Sequence, residues 1–337
     1  MSIDLSPQRV PLNPVLVEVW RGNEIESIHR GAACVADAAG VIRAVWGNVD
    51  HPIFPRSAVK MIQALPLLET GAADYFHLTD TEIALACASH NGERRHVQAV
   101  QDWLTRIGVT SAALECGCHQ PLNEQAALEL AASHQAPTAL HNNCSGKHAG
   151  FVTTALHLAF PTRDYVNGLH PIQQHVTAAL SEMTDYDLES ARSGIDGCGI
   201  PTYAIPLRSL ARAMAKFALP SSLSAGRAKA IRRIFQAMVA HPWFIGGTAR
   251  FDTEAMQMNA GQFVVKMGAE GVHVAIHPAS GLGVALKIDD GARRAADAAM
   301  SAILHFLGFV EAPMPNVLSN SRGEKVGIIQ AVFPPSA

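Results

Sequence analysis

Ser57-Ala-Val-Lys60, Ser89-His-Asn91, Cys144-Ser-Gly-Lys147 and Cys198 follow one another along the chain. A serine hydroxyl is a poor nucleophile near neutral pH and needs a base, itself held partly deprotonated, within hydrogen-bond reach. Lys60 supplies one if the segment from Ser57 to about Thr70 is a helix, because positions three apart share a face. Desolvation removes the proton from a buried amine, which turns lysine into a usable general base. In the first turn of such a helix Ser57 would also lie among free backbone N–H groups, suited to a developing oxyanion. The bland alternative is an ordinary helix start with a solvated lysine, since a chain this long matches Ser-x-x-Lys by accident with roughly even odds.

Scarcity and order favour the chemistry. The chain has seven lysines, a single Ser-x-x-Lys and a single Ser-x-Asn, and Lys266-Met-Gly268 follows near its end. This resembles the active-site serine acyltransferases of the β-lactamase and penicillin-binding class, which carry Ser-x-x-Lys, Ser-x-Asn and Lys-x-Gly in that order. Lys325-Val-Gly327 and Tyr165-Val-Asn167 fit the degenerate patterns too, and His90 stands where many of those enzymes have aspartate.

Cys144 and Lys147 are three apart at a helix start introduced by Asn142 and Asn143, so both can face one point. Cys198 sits in the Gly-rich turn Asp196-Gly-Cys-Gly199. Two cysteines, one nitrogen ligand and a water would make an open tetrahedral zinc site, with lysine an uncommon ligand that must be neutral to coordinate. Free cysteines are more often small buried hydrophobes, and that alternative stays open on spacing alone.

The elements that must position these groups read as follows. Short β-rich runs at Val15 to Trp20, Ile25 to His29, Ala33 to Ala36 and Val41 to Trp46 are separated by Gly-containing turns. Helix periodicity then marks Thr79 to Ala88, Val97 to Ile107, Asn123 to Ala132, Ser145 to Phe160, Pro171 to Met183, Leu207 to Phe217 and Ala225 to Val239. Strands return at Phe263 to Met267, Val272 to His277 and Gly283 to Ile288, before a helix from about Ala292 to Leu307. The expected fold is α/β and serine β-lactamase-like: an antiparallel sheet built from N- and C-terminal segments, flanked by helices, with an inserted mainly helical region. A single unit is expected, its sheet part at about 10–60 and 260–310 and its helical part at about 75–250. The Pro-rich tail after Glu311 is expected to wrap the surface.

Composition agrees with a compact enzyme: 48% hydrophobic and 16% charged residues, net charge −3 and no basic stripe, which argues against nucleic acid as a partner. Neither a leader at Met1 to Arg9 nor an apolar stretch near ~18 residues is recognised, so a cytoplasmic location with no membrane partner is expected. Six cysteines would then stay reduced, leaving metal binding, catalysis or burial to explain them. For Cys116-Gly-Cys118-His119 burial near the site is expected, since C-x-C-H is not a common zinc spacing.

Longer blocks resemble the rhizobial-type L-asparaginases, also called class 3 or asparaginase II. They are Arg56-Ser-Ala-Val-Lys60-Met-Ile-Gln-Ala-Leu-Pro66, Ala88-Ser-His-Asn-Gly-Glu93, Cys116-Gly-Cys-His-Gln-Pro121, Asn142-Asn-Cys-Ser-Gly-Lys147-His-Ala-Gly150, Asp196-Gly-Cys-Gly-Ile-Pro201 and Gly281-Leu-Gly-Val-Ala-Leu-Lys-Ile-Asp-Asp-Gly291. The resemblance implies hydrolysis of L-asparagine to L-aspartate and ammonia, with Ser57 and Lys60 as the catalytic pair and Ser89 as helper. It also implies a zinc held by Cys144, Lys147, Cys198 and water, and a homodimer. An amino-acid substrate needs partners for its α-ammonium and α-carboxylate. Asp196 and Lys266 are the expected pair, with Asn143 and His148 nearby and Arg56, His90 and Asn91 completing the substrate-binding set.

Two other functions fit the same residues: a related Ser-Lys amidohydrolase or acyltransferase acting on glutamine or a β-lactam-type substrate, and a zinc-binding protein without turnover. The choice between asparagine and glutamine rests on one methylene, worth only ~1–3 kcal/mol, and no motif reads it out.

Overall fold

The computed structural model describes residues 12–332. The leader expectation at Met1 to Arg9 and the first two positions of the expected sheet part lie outside them.

The sheet is antiparallel and takes its strands from both ends of the chain. Its order is Val317–Ser319, Lys325–Ala331, Val15–Arg21, Glu24–Asp37, Leu282–Ile288, Val272–His277 and Val264–Met267, with Ile42–Trp46 also pairing with Glu24–Asp37. The long strand Glu24–Asp37 is the organiser. Its first half pairs with Val15–Arg21, from Val15↔Arg30 to Arg21↔Glu24, and its second half pairs with Leu282–Ile288, from Leu282↔Asp37 to Ile288↔Gly31.

Two expectations are corrected here. Ile25 to His29 and Ala33 to Ala36 are one strand, because Gly31 is not a turn: a Cβ there would meet Lys287 O at 2.4 Å, so the glycine permits close approach of backbones within the sheet. The tail after Glu311 does not simply wrap the surface. It forms the hairpin Val317–Ser319 and Lys325–Ala331, which covers the edge that Val15–Arg21 would otherwise leave open.

Leu282–Ile288 is almost continuously buried, as expected of a strand covered on both faces. The helices Leu207–Ala218 and Arg293–Phe306 pack against it. Gly283 sets the first approach, since a Cβ there would lie 2.1 Å from Ala215 N. The helical part contains Asp80–Ala86, started by a capping box between Thr79 and Glu82, then Arg94–Arg106, Glu124–Ala132, Ser145–His157, Pro171–Thr184 and Ala225–Ala240. Among the described residues no helix is long and apolar enough to cross a membrane.

The expected single helix from Ser57 to Thr70 is a third correction. The segment is a 3₁₀ turn at Arg56–Val59 followed by Lys60–Gln63 and Leu65–Glu69. Arg56 enters the turn with φ of 50°, and Pro66 lacks the N–H that would continue the ladder.

Candidate active site

The 3₁₀ turn that carries Ser57 lies against the Val264–Met267 strand: a Cβ on Gly268 would meet Pro55 O at 2.5 Å and Ala58 N at 3.2 Å. Ser-x-x-Lys and Lys-x-Gly therefore share one wall. Ser57 is half-buried and occupies the first turn, where the Ala58 N–H is already taken by Pro55 O at 3.1 Å. No hydrogen bond engages its hydroxyl among the described residues.

Lys60 is fully buried, and its amine faces Ser89 Oγ at 3.0 Å, Asn143 O at 3.2 Å and Ala88 O. Both carbonyls can only accept. The amine donates to Ser89 Oγ and also hydrogen-bonds Cys144; once neutral, it can instead accept the Ser89 hydroxyl proton. Burial pushes this amine below its ordinary value, helped by the Lys147 charge and opposed by Cys144 and Cys198. Ser89 itself is buried, its backbone N–H fixed to Ile245 O at 3.0 Å.

Lys266 is fully buried too, contrary to a solvated strand lysine. Its amine donates to Met267 O at 2.7 Å and stands 3.8 Å from Asp252 Oδ2. Burial lowers it to about 7, with Asp252 opposing and Lys60 reinforcing the shift. A second amine that is half-neutral near pH 7 thus adjoins the first. A lysine inside the apolar run Phe263-Val-Val-Lys-Met267 was the sequence signal for it.

Arg56 and Asp196 meet across the chain. Nε and Nη2 of Arg56 donate to Asp196 Oδ1 at 3.0 and 2.9 Å, and Gly197 N donates to the same oxygen at 2.6 Å. Burial raises the Asp196 carboxyl, but Lys147 and Arg56 outweigh it and hold the group below its ordinary value. The second carboxylate oxygen stays available, and both side chains are partly exposed.

Cys144, Lys147 and Cys198 converge. Lys147 Nζ lies 3.1 Å from Cys198 Sγ, and the Cys198 thiol hydrogen-bonds Cys144. That hydrogen bond is the main reason the Cys144 thiol is pushed well down, with Lys60 and Lys147 adding to it against burial. Donating to Cys144, and burial next, push the Cys198 thiol up. Burial works against the Lys147 charge, but Cys198 and Cys144 hold it up. Among the described residues no cluster of three or more His, Cys, Asp or Glu side chains is set to hold a metal, so a metal here would need Lys147 as third donor.

Three of the expected substrate contacts make hydrogen bonds within the protein. His90 is fully buried, with Nδ1 accepting from Gly92 N at 3.1 Å and Nε2 against Ser145 Oγ at 2.8 Å, and its ring stacks on His96. Asn91 donates to Thr248 O at 3.0 Å and accepts from Arg250 Nη1 at 2.6 Å. His148 is fully buried with Nδ1 on Tyr165 OH at 2.8 Å. His90 and Asn91 are committed to protein partners, whereas His148 Nε2 is buried with no hydrogen-bond partner among the described residues. Asn143 is half-buried, and its amide makes no hydrogen bond among the described residues, while its backbone N–H donates to His119 Nε2 at 3.0 Å. In the neighbouring block Cys116 is buried and Cys118 exposed. His119 accepts the backbone N–H of Asn143, a contact its spacing did not reveal.

A family model described as L-asparaginase II matches residues 17–331. Among curated proteins none matches the chain significantly. Solved structures that it overlaps include a β-lactamase from Mycobacterium bovis, at TM-score 0.39 and 13% identity over 83% of this chain and 95% of that one. Another is a D-alanine carboxypeptidase from Burkholderia cenocepacia, at TM-score 0.40 and 12% identity over 83% and 93%.

Proposed function

The chain belongs to the L-asparaginase II family, and from that premise we propose that it hydrolyses L-asparagine to L-aspartate and ammonia through a β-aspartyl ester on Ser57. The observation that carries this is the pairing of a fully buried lysine amine with a serine hydroxyl, Lys60 and Ser89 at 3.0 Å, one 3₁₀ turn from the accessible Ser57.

Neutral Lys60 draws the proton from Ser57, directly after a side-chain rotation or by way of Ser89. Catalytic hydrogen bonds of this kind are commonly longer before substrate binds than in the reacting complex. Ser57 is the nucleophile because its hydroxyl is reachable, whereas that of Ser89 is buried. The Ser57 alkoxide adds to the side-chain amide carbon, and the Ser57 N–H at the start of the turn receives the oxyanion. Ser89 then returns the proton to the leaving nitrogen, ammonia departs, and water cleaves the ester with Lys60 or Lys266 as base. A buried amine lowered to about 7 suits Lys266 to carrying protons better than to acting as a permanent cation, so it leaves the substrate-carboxylate role.

A free amino acid is zwitterionic, and the half-exposed Arg56–Asp196 pair offers a complementary charge of each sign. Asp196 would take the α-ammonium through its available oxygen and Arg56 the α-carboxylate through guanidinium hydrogens not used by Asp196. Asn143 is the remaining polar group free for the substrate.

The convergence of two sulfurs and one amine fits a tetrahedral zinc with one open position, provided that binding displaces the Lys147 proton. Cys144, Lys147 and Cys198 would hold the ion, and its positive charge would polarise a bound carbonyl or water. A homodimer belongs to the same proposal, as the family resemblance implies; light scattering of the purified protein checks it.

Ammonia release from L-asparagine and L-glutamine by the purified protein is the test. Turnover of asparagine at a higher kcat/KM than glutamine is expected. Glutamine preference would leave the Ser-Lys amidohydrolase but change its substrate, and release from neither amide would remove the assignment.

A further inference from the structure

A short segment between the helical part and the last strands ties two site elements together. Ile245 O receives the N–H of Ser89 at 3.0 Å, and Thr248 O receives the Asn91 amide at 3.0 Å. Arg250, itself buried, donates to Asn91 Oδ1 at 2.6 Å. Two residues on, Asp252 turns to the other element: Oδ2 accepts the N–H of Met267 at 3.0 Å and lies 3.8 Å from Lys266 Nζ. Ser89 and Lys266 are thus held from one stretch of backbone.

Behind Asp252 the charges continue. His273 Nε2 is 3.6 Å from Asp252 Oδ1 and 3.2 Å from Asp297 Oδ1, and Arg293 reaches Asp297. Asp252 Oδ1 is buried without a hydrogen bond, as are both ring nitrogens of His273. An ionised carboxylate in this position is costly unless a cation answers it. Lys266, His273 and Arg250 surround it, and the lysine and arginine cations keep the carboxyl low against burial. Through space, the charges of Lys60 and Arg250 oppose that of Lys266.

We infer that Asp252 is a positioning residue for the reaction, fixing both the place and the charge of Lys266 beside Lys60, while Arg250 fixes the Ser89 loop from the same segment. The inference rests on the proposed function only for its catalytic consequence; the effect on Lys266 stands without it. Asparagine at position 252 would keep an acceptor for the Met267 N–H and remove only the negative charge.

Seven lysines make [13Cε]lysine labelling tractable, with the Lys266 signal assigned by its loss in Lys266→Met. In Asp252→Asn the titration midpoint of Lys266 is expected to fall by about one unit or more, since a neighbouring anion favours the charged amine. The acidic limb of kcat/KM should move down with it, and Asp252→Glu, which keeps the charge, should restore both. An unchanged midpoint in the folded variant overturns the inference. Should the variant not fold, the wild-type protein decides: the Asp252 carboxylate 13C shift must report a step at the Lys266 midpoint, and its absence overturns the inference as well. Loss of ammonia release in the wild type would sink the proposed function while leaving this titration readable.

Discussion

Lys60 Nζ stands 3.0 Å from Ser89 Oγ, beside the carbonyl oxygens of Ala88 and Asn143 and the Cys144 sulfur. Ser89 is the one hydroxyl among these partners. Ser89→Ala is expected to lower kcat roughly 10²–10⁴-fold, the usual worth of a positioned proton-transfer group. Substrate affinity should change little, because Ser89 is buried. A steady-state assay that finds only KM altered would contradict the relay.

The Arg56–Asp196 pair is the second point of test. Arg56→Ala removes a charged donor from the substrate carboxylate, worth about 1.5–3 kcal/mol, so KM should rise about 10- to 100-fold. Alanine carries the same Cβ penalty at the φ of 50° just before Ser57, so the backbone there gains no relief from the variant. A KM unchanged from wild type would remove Arg56 from the substrate site.

The pH dependence follows from the two buried amines. Burial lowers both, Lys266 to about 7. A base works in its neutral form, so kcat/KM should rise as pH is raised through about 7 and fall as the amines gain protons below it. Lys266→Arg fixes a cation beside Lys60 and should abolish most activity without restoring it at higher pH. A pH profile that declines from 6 to 8 would contradict a proton-carrying Lys266.

Much of this arrangement was legible in the chain. The motif order predicts convergence, and Lys60 does meet Ser89 and Lys147 does meet Cys198, while period-two and period-3.6 patterns located most strands and helices. What failed were features whose cause lies elsewhere in the fold. Gly31 read as a turn because the backbone of Lys287 that it admits is remote in sequence. The hydrogen bonds that His90 and Asn91 make within the protein are with partners remote in sequence, Ser145, Thr248 and Arg250, which proximity to Ser89 does not reveal. Asp252 carries no motif at all.

Gly146 lies between Ser145 and Lys147, and a Cβ there would meet Leu85 O at 2.2 Å. Gly146→Ala must push the Ser145–His157 helix away from Asp80–Ala86, at a cost of about 1–3 kcal/mol. Because this helix also carries Lys147, zinc retention should drop together with the melting temperature. Stability within error of wild type by calorimetry would show that the helices tolerate the shift.

For the metal, Cys198→Ser removes one of two sulfur donors. Wild-type protein dialysed against zinc is expected to retain about one ion per chain, and the variant much less. Equal metal content by elemental analysis would place the ion elsewhere.

The most direct measurement compares ammonia release from L-asparagine by wild type and Ser57→Ala, with folding and zinc content checked on both. A loss of roughly 10³-fold or more in a folded, equally metal-loaded variant is what the serine mechanism predicts. Activity that survives Ser57→Ala and disappears on chelation would contradict it, and would point to metal-bound water as the nucleophile.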